Sequence, residues 1–411
     1  MTRTKTSKIN VTLADVQRAQ NELSKYLEPS PLLLNTWLSE ALGCQVYLKL
    51  ENMQPVGSFK IRGATYKISK LTPAERKRGV IAASAGNHAQ GVAWGSKRLG
   101  VSALIVMPKF AAIVKVQNTR AMGAEVVLAG DNYDEAYIEA QRIARKTGRV
   151  FVHAYEDADV IAGQGTVALE VMEQLPDLDM IIGSIGGGGM MSGIATVIRE
   201  LRPEAHIVGC QAKGANSMIQ SIKKGRAVSR DRVETFADGI AVARASETMR
   251  KILTKNIDEF IEADDESIAA SVLTLLEKAK ITAEGSAAIA LTALERIGKR
   301  AKGKKVVLVI CGGNIDVNVL SRIIDRGLIR AGRRVRVNVI LSDRPGSLAR
   351  LTGLIAEQGA NVLQAIHDRS EPSTTIDQTD VALTLETRGP EHSRKLIRAL
   401  REQVIRLELT H

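Results

Sequence analysis

One lysine lies in a sequence context that suits carbonyl chemistry. Lys60 is part of the segment PVGSFKIRGA at 55–64, with Ser58, a good helix-capping residue, two positions before it and apolar residues at helical spacing after it. The amide dipoles at a helix N-terminus disfavour a cation, as does burial, and both effects lower the pKa of an amine. We therefore predict that Lys60 begins a helix and reacts as a neutral amine with a carbonyl carbon. The alternative is an ordinary surface lysine, so the other motifs must decide.

A run of four glycines predicts an anion site. It follows an apolar strand predicted at 180–185, precedes a helix predicted to begin near Met191, and consists of Gly186, Gly187, Gly188 and Gly189. Without side chains, successive N–H groups can approach an anion, and the helix dipole adds to the attraction. We interpret the run as a phosphate cup, with a flexible loop as the alternative. The chain has no GxxxxGKS or GxxxxGKT loop and no GxGxxG with a ribose-binding acid, so ATP and dinucleotides are poor fits.

Two further turns also follow predicted strands. The first comes after the strand predicted at 80–83 and consists of Ser84, Ala85, Gly86, Asn87 and His88. Its hydroxyl, carboxamide and helix-start N–H groups suit a carboxylate, although simple helix capping is the alternative. The second turn, CGGN at 311–314, begins with Cys311 after a strand predicted at 306–310, and its alternative interpretation is a buried cysteine in a turn.

The predicted elements bring these turns to one crevice. Apolar strands alternate with helices over most of the chain: strands are predicted at 45–49, 80–83, 103–107, 124–128, 180–185, 207–211 and 306–310, and helices at 12–27, 88–98 and 113–121. This alternation is typical of an α/β fold with open, doubly wound parallel sheets, in which ligands bind at the carboxyl ends of the strands. Two such series predict two lobes with a cleft between them.

The last part of the chain predicts a separate, smaller domain. Strands at 335–341, 361–367, 380–387 and 404–409 and helices around 348–355 and 391–402 form the order βαββαβ, which indicates a ferredoxin-like unit. We therefore predict a catalytic domain at 1–325, with a smaller lobe at about 50–155 inserted in the larger one. A basic linker is predicted at 326–333, and the small domain at 334–411.

Composition narrows the classes of function. The formal charge is +12, but the basic residues are spread along the chain and only 3% of residues are aromatic, so nucleic-acid binding is not expected. The three cysteines, Cys44, Cys210 and Cys311, form no CxxC pair, which fits a reducing compartment without a disulfide framework. The polar first residues and the lack of a long apolar run predict a cytoplasmic protein with no membrane partner.

The motifs together resemble a known family. PVGSFKIRGA, SAGNHAQG, GGGG and CGGN occur here in the order and spacing found in the β-eliminating pyridoxal-phosphate enzymes of the tryptophan-synthase fold, fold type II. With VIAGQGT at 160–166, ADGIAV at 237–242 and the Glu284-Gly285 segment, the chain is most similar to the threonine dehydratases. This resemblance covers about residues 10 to 325, and the C-terminal unit, with its DRPGS turn, resembles an ACT domain.

The resemblance implies roles for the residues already singled out. Lys60 would form the covalent link to pyridoxal 5'-phosphate and act as the catalytic base, and Asn87 would bind the ring hydroxyl. Gly186, Gly187, Gly188 and Gly189 would hold the phosphate, while Phe59 would lie beside the ring. The loop of Ser84, Ala85, Gly86, Asn87 and His88 would receive the substrate carboxylate. Cys311 would face the pyridine nitrogen and remain neutral. The implied reaction converts L-threonine to 2-oxobutyrate and ammonia, and L-serine to pyruvate.

Some positions depart from the family pattern. Cys311 replaces the usual serine, and Ala112, Ala154 and Ser184 stand where many relatives have proline. Ala85 replaces the second serine that serine racemases use as an acid on the opposite face, which favours one-faced elimination. Gln211 and Ala215 leave few carboxylates where some relatives bind a divalent cation, so we expect no metal site.

Two questions stay open at the level of sequence. The ACT-like domain predicts control by a small-molecule effector, or it serves only to form a homo-oligomer, which we expect to be a dimer or tetramer. Its single copy resembles the shorter, often catabolic dehydratases more than the isoleucine-inhibited biosynthetic type. The alternatives to a dehydratase are a serine racemase or β-replacement synthase of the same fold, and a non-catalytic amino-acid sensor.

Overall fold

The structure is a computed structural model that describes residues 9–369 and 375–409. The chain forms two units, Met1–Ile315 and Asp316–His411. The strands described in the first unit are β1 (Leu32–Leu34), β2 (Gln45–Leu50), β3 (Val80–Ala83), β4 (Ala103–Met107), β5 (Glu125–Leu128), β6 (Val150–Phe151), β7 (Met180–Ser184), β8 (His206–Ala212), β9 (Glu259–Ala263) and β10 (Lys305–Ile310).

The helices of the first unit cover the faces of its sheets. Those described are α1 (Leu13–Leu23), α2 (Thr36–Leu42), α3 (Lys60–Ser69), α4 (Pro73–Arg78), α5 (Asn87–Leu99), α6 (Ile113–Ala121), α7 (Tyr133–Thr147), α8 (Ala158–Gln174), α9 (Gly189–Leu201), α10 (Ser217–Lys223), α11 (Glu247–Asn256), α12 (Asp265–Thr274) and α13 (Gly285–Ile297). Helix α1 ends four residues earlier than predicted, because the chain turns after Leu23, yet Leu27 still packs in the core as its spacing suggested.

The first unit contains two parallel sheets, as the strand–helix alternation predicted. The larger sheet has the order β1-β2-β10-β7-β8-β9, in which only the short edge strand β1 runs antiparallel to its neighbour. The smaller sheet has the order β5-β4-β3-β6 and is parallel throughout. The expected fold class, two α/β lobes, is therefore confirmed.

Burial of both faces of the sheet explains why the central strands have continuous apolar sequences. In β10, the five residues from Val306 to Ile310 are all 0% exposed, because helices cover both faces of a parallel sheet. The predicted motif turns follow the carboxyl ends of β3, β7 and β10. The buried strands β3, β7 and β10 therefore fix the positions of the three turns that form the candidate site.

The second unit contains a helix and the predicted βαββαβ arrangement. Its described elements are α14 (Val317–Arg330), β11 (Arg334–Ser342), α15 (Ser347–Glu357), β12 (Asn361–Asp368), β13 (Gln378–Glu386), α16 (Pro390–Arg401) and β14 (Arg406–Leu409). The sheet is antiparallel in the order β12-β13-β11-β14, with its apolar face packed on α15 and α16. Residues 326–330, expected in a linker, instead form the end of α14, whose apolar spacing continues through Ile329.

A search for membrane-spanning helices over the described ranges finds no candidate of sufficient length and apolar character.

Candidate functional site

The backbone before Lys60 is held by a distant strand end. Helix α3 begins at Lys60, as predicted, and the N–H of Phe59 donates to the carbonyl of Cys311 at 3.0 Å. Ser58 forms a bridge with Gly312, and its buried Oγ has no hydrogen-bond partner among the described residues. The prediction that Ser58 caps the helix is therefore wrong, because pairing with the strand end places its side chain elsewhere.

The Lys60 amine has a sparse environment. Its Nζ donates to the carbonyl oxygen of Ala154 at 3.0 Å and lies 5.1 Å from the centroid of the Phe59 ring. Burial lowers the pKa of Lys60 to about 8, and the electrostatic influence of Cys311 and Glu284 opposes this shift only in part. A substantial fraction of this amine is therefore neutral near pH 8, as attack on a carbonyl requires.

The glycine run leads into the first turn of a helix. Helix α9 begins at Gly189, and Gly188 before it has φ of +99°, a conformation that favours glycine. A Cβ atom on Gly187 would overlap the ring of Tyr155, and one on Gly189 would lie 2.9 Å from Tyr155 Cα. The missing side chains thus allow close packing on one side and leave first-turn N–H groups that can bind a phosphate.

Ala154 and Tyr155 connect the lysine to the glycine run. These consecutive residues contact the Lys60 amine and the glycine backbone respectively, so both groups lie along one short stretch of chain. The turn is fixed by His153, whose Nδ1 accepts from the N–H groups of Tyr155 at 3.3 Å and Glu156 at 2.9 Å. Two consecutive residues thus contact both the amine and the glycine run, as is required of a site for a phosphorylated aldehyde such as pyridoxal 5'-phosphate.

Asn87 is oriented by groups from two distant segments. Its Nδ2 donates to both carboxylate oxygens of Glu284, at 2.9 and 3.1 Å, and its Oδ1 accepts from Asn314 Nδ2 at 2.8 Å. Asn314 also donates to the carbonyl of Val56 at 2.8 Å. Burial raises the pKa of Glu284, while hydrogen bonds from Ser286 and Asn87 oppose that rise. The carboxamide is therefore presented in one orientation at the start of α5.

Cys311 is a buried, neutral thiol. Its Sγ lies 3.5 Å from Ser184 Oγ and donates to the carbonyl of Ser286 at 3.4 Å. Burial raises the pKa of Cys311 to about 12, and the nearby Glu284 carboxyl adds to the rise. At neutral pH the group can donate a weak hydrogen bond but carries no charge.

The turn at Ser84–His88 keeps a hydroxyl available as a donor. Ser84 Oγ accepts from the N–H of Gly86 at 3.1 Å, so its own hydrogen remains free to donate to an anion. His88 Nε2 donates to the carbonyl of Val152 at 2.8 Å, and its buried Nδ1 has no partner in the described part of the chain. Burial, with the nearby Lys60, lowers the pKa of His88 to about 3, so its ring is neutral. With Ala85 and Gly86, these residues can form the predicted carboxylate loop.

Sequence reasoning missed some members of this site. Glu284 and Asn314 were noted only as parts of family motifs, and Tyr155 was not singled out at all. Asn87 and Glu284 are 197 positions apart, and no local sequence pattern predicts that they form a hydrogen bond. The one available signal was that Glu284 precedes the mostly apolar sequence that forms α13, where a buried carboxylate needs a partner.

The described residues show no cluster of three or more histidine, cysteine, aspartate or glutamate side chains arranged to bind a metal ion.

Comparisons with known proteins agree with this chemistry. A family model described as pyridoxal-phosphate dependent enzyme matches residues 23–312, and an ACT domain model matches 335–402. An L-threonine ammonia-lyase of Thermotoga maritima is 46% identical over 95% of this chain and 97% of its own length.

Solved structures give the same picture. Threonine deaminase isoform 2 from Solanum lycopersicum matches with a TM-score of 0.73 and 36% identity, covering 76% of this chain and 86% of that one. Maize serine racemase matches with a TM-score of 0.73 and 30% identity, covering 78% of this chain and 98% of that one.

Proposed function

The chain belongs to the pyridoxal-phosphate dependent enzymes, and we propose that it converts L-threonine to 2-oxobutyrate and ammonia, and L-serine to pyruvate. The observation that carries this proposal is the meeting of an amine of lowered pKa, at Lys60, with a glycine-lined helix start through the Ala154–Tyr155 turn. In the net reaction, the water lost with the β-hydroxyl is regained when ammonia is released.

Different residues of the site would bind different parts of the cofactor. When bound, pyridoxal 5'-phosphate links to an amine through its aldehyde, and its ring withdraws electron density from the substrate α-carbon. Gly186–Gly189 would hold the phosphate, Asn87 would bind the ring hydroxyl, and Phe59 would lie beside the ring. Cys311 would face the pyridine nitrogen. The carboxylate of the substrate is received by the N–H groups and hydroxyl of Ser84–His88.

Proton handling favours elimination. Lys60, with a pKa of about 8, takes the α-proton as a neutral amine near physiological pH. The neutral thiol of Cys311 would not hold a pyridine nitrogen protonated as a carboxylate would. The cofactor would then draw less charge into its ring, which favours loss of the β-hydroxyl as water. Ala85 offers no acid on the opposite face, which argues against racemisation.

Two other functions remain as alternatives. The similarity to maize serine racemase favours a racemase as the first alternative, and a β-replacement synthase would use the same fold and cofactor. A non-catalytic amino-acid sensor, in which the ACT domain is the working part, is opposed by the reactive environment of Lys60.

A substrate comparison separates these functions. Purified protein with pyridoxal 5'-phosphate is incubated with L-threonine, L-serine or D-serine, and release of 2-oxo acid is measured; conversion of L-serine to D-serine and sulfide incorporation are followed in parallel. We expect L-threonine to be the better substrate. A preference for sulfide incorporation or for racemisation would overturn the proposal, and no reaction with any substrate would favour the sensor.

The ACT domain supports control by a small-molecule effector. Its DRPGS turn leads through Gly346, with φ of +86°, into α15 at Ser347, and Asp343 in this turn accepts from Arg369 Nε at 2.9 Å. An amino acid or nucleotide bound there would alter the rate of oxo-acid release. Isoleucine, valine and AMP are suitable candidates for the assay, and their effects would also indicate a biosynthetic or a catabolic role. If none changes the rate or the melting temperature, oligomer formation is the better account of this domain.

The proposal also includes a cytoplasmic homo-oligomer, a dimer or tetramer. Light scattering coupled to size-exclusion chromatography measures the subunit number, and a monomer at micromolar concentration would contradict this part.

A further inference from the structure

Four buried charged side chains lie next to the helix that carries Lys60. Lys49 and Glu51 are 0% exposed, Arg62 is 1% exposed and Glu170 is 2% exposed. We call these four residues the buried charge cluster. Two cations and two carboxylates balance, and Arg62 belongs to the same PVGSFKIRGA motif as Lys60, although the chemistry proposed above gives it no task.

Arg62 uses its full hydrogen-bonding capacity. Its Nε and Nη2 donate to the two oxygens of Glu51 at 2.7 and 2.8 Å, and its Nη1 and Nη2 donate to the two oxygens of Glu170 at 2.5 and 2.8 Å. Nη1 also donates to Thr166 Oγ1 at 3.0 Å. The five N–H groups of the guanidinium are thereby engaged, in a planar geometry that no other side chain reproduces.

Lys49 is the second cation of the cluster but lies on a different element. Its Nζ donates to Glu170 Oε2 at 2.6 Å, to the carbonyl of Ser30 at 2.7 Å and to Gln174 Oε1 at 3.1 Å. It belongs to β2 and none of these partners lies on α3. Lys49 therefore supports Glu170, whereas Arg62 alone connects the cluster to α3.

The cluster is better suited to fixing geometry than to adding stability. Buried ion pairs lose much of their attraction to desolvation, so apolar residues of similar volume often stabilise a fold as well. Arg62 joins α3 to α8, through Thr166 and Glu170, and to the segment after β2, through Glu51. These directional bonds define both the rotation and the axial position of α3.

Helix geometry transmits this constraint to Lys60. Two positions along an α-helix correspond to a rotation of about 200°, so Arg62 and Lys60 project from nearly opposite sides of α3. A guanidinium fixed on one side thus sets the direction of the lysine on the other. The backbones of α3 and α8 also approach closely, since a Cβ on Gly63 would lie 2.6 Å from the carbonyl of Val160.

We propose that Arg62 is a positioning residue for Lys60: its bonds to Glu51, Thr166 and Glu170 hold α3 where the lysine amine meets the aldehyde of the cofactor. The proposal rests on the function above in one respect only, namely that Lys60 binds pyridoxal 5'-phosphate. It requires neither a particular substrate nor turnover.

The test compares two variants that remove one buried cation each. Arg62→Met and Lys49→Met both leave the cluster with one excess negative charge, but only Arg62→Met releases α3. Apo-protein is mixed with saturating pyridoxal 5'-phosphate, and covalent capture is followed by borohydride fixation over a pH series, with circular dichroism to verify folding. We expect Arg62→Met to slow capture at least tenfold and to move its pH midpoint, while Lys49→Met changes the rate less than threefold.

Conservative variants keep the test decisive if Arg62→Met does not fold. Arg62→Lys retains the charge but not the planar fork, and we expect it to remain at least fivefold slow rather than to restore capture. Thr166→Val removes one of the five acceptors without changing charge, and we expect a two- to fivefold decrease.

The outcomes separate this inference from the proposed function. Equal capture rates in the Arg62 and Lys49 variants, or wild-type capture in a folded Arg62→Lys or Thr166→Val variant, would overturn the positioning role. Normal capture by the wild-type protein without oxo-acid release would contradict the proposed reaction and leave the role of Arg62 intact.

Discussion

Lys49 and Lys60 lie in the same unit and differ in what surrounds their amines. Lys49 is fully buried and donates to three acceptors, one of which is the carboxylate of Glu170. Lys60 is partly buried and donates to one neutral acceptor, the carbonyl of Ala154. Burial lowers the pKa of both lysines, but carboxylate partners directly oppose the shift at Lys49. The partners of the amine therefore make Lys49 a structural cation and leave Lys60 a reactive amine.

Removal of the reactive lysine gives the largest expected effect. Lys60→Ala deletes both the covalent attachment point and the base, so we expect oxo-acid release from L-threonine to fall at least about 10³-fold. Steady-state kinetics with saturating cofactor measure this loss. Activity within tenfold of wild type would mean that another group performs these steps.

The pH dependence of cofactor capture measures how strongly its surroundings lower the pKa of Lys60. Because only the neutral amine attacks the aldehyde, a pKa of about 8 predicts that the capture rate of apo-protein rises roughly 50-fold from pH 6 to pH 8 and then levels off. Borohydride fixation after short mixing times gives the rate. A rise that continues beyond pH 10 would indicate a lysine with an ordinary pKa and would contradict the lowered pKa of Lys60.

Close packing between the glycine run and Tyr155 predicts a smaller effect. Gly187→Ala introduces a Cβ that overlaps the Tyr155 ring, so we expect cofactor affinity to fall on the order of tenfold. Fluorescence titration with pyridoxal 5'-phosphate measures the affinity.

The matched control uses Tyr155→Ala as the starting protein. Adding Gly187→Ala to that variant should cost less than threefold, because the overlapping ring is gone. A full tenfold loss in both backgrounds would show that the overlap with Tyr155 is not the cause.

The structural lysine gives the smallest expected effect on catalysis. Lys49→Met leaves a buried carboxylate with one partner fewer, so we expect the free energy of unfolding to decrease by about 3–5 kcal/mol. Oxo-acid release per folded molecule should change less than threefold. Urea denaturation and active-site titration provide the two quantities, and a large loss of activity in fully folded protein would mean that Lys49, too, serves the reaction.

Sequence patterns predicted the parts of this molecule that depend on local order. Apolar runs located β3, β7 and β10, and the turns after them carry Asn87, Gly186–Gly189 and Cys311. Alternation of strands and helices then places strand ends at one crevice, so these residues could be expected near each other before any coordinates.

Contacts between distant segments could not be predicted in the same way. The partners of Arg62 lie 11, 104 and 108 positions away, and nothing in the spacing of charged residues distinguishes this arginine from a solvated one. Ser58 shows the same limit, because its capping propensity is overridden when its backbone pairs with Gly312. Side-chain hydrogen bonding across the fold therefore decides which polar residue has which role.

The most direct measurement locates the covalent bond to the cofactor. Protein loaded with pyridoxal 5'-phosphate is reduced with borohydride, digested and examined by mass spectrometry for the phosphopyridoxyl group. We predict that the group is found on Lys60 alone. Finding it on Lys49 or another lysine, or finding no modified peptide in protein that has been shown to be folded, would contradict the account.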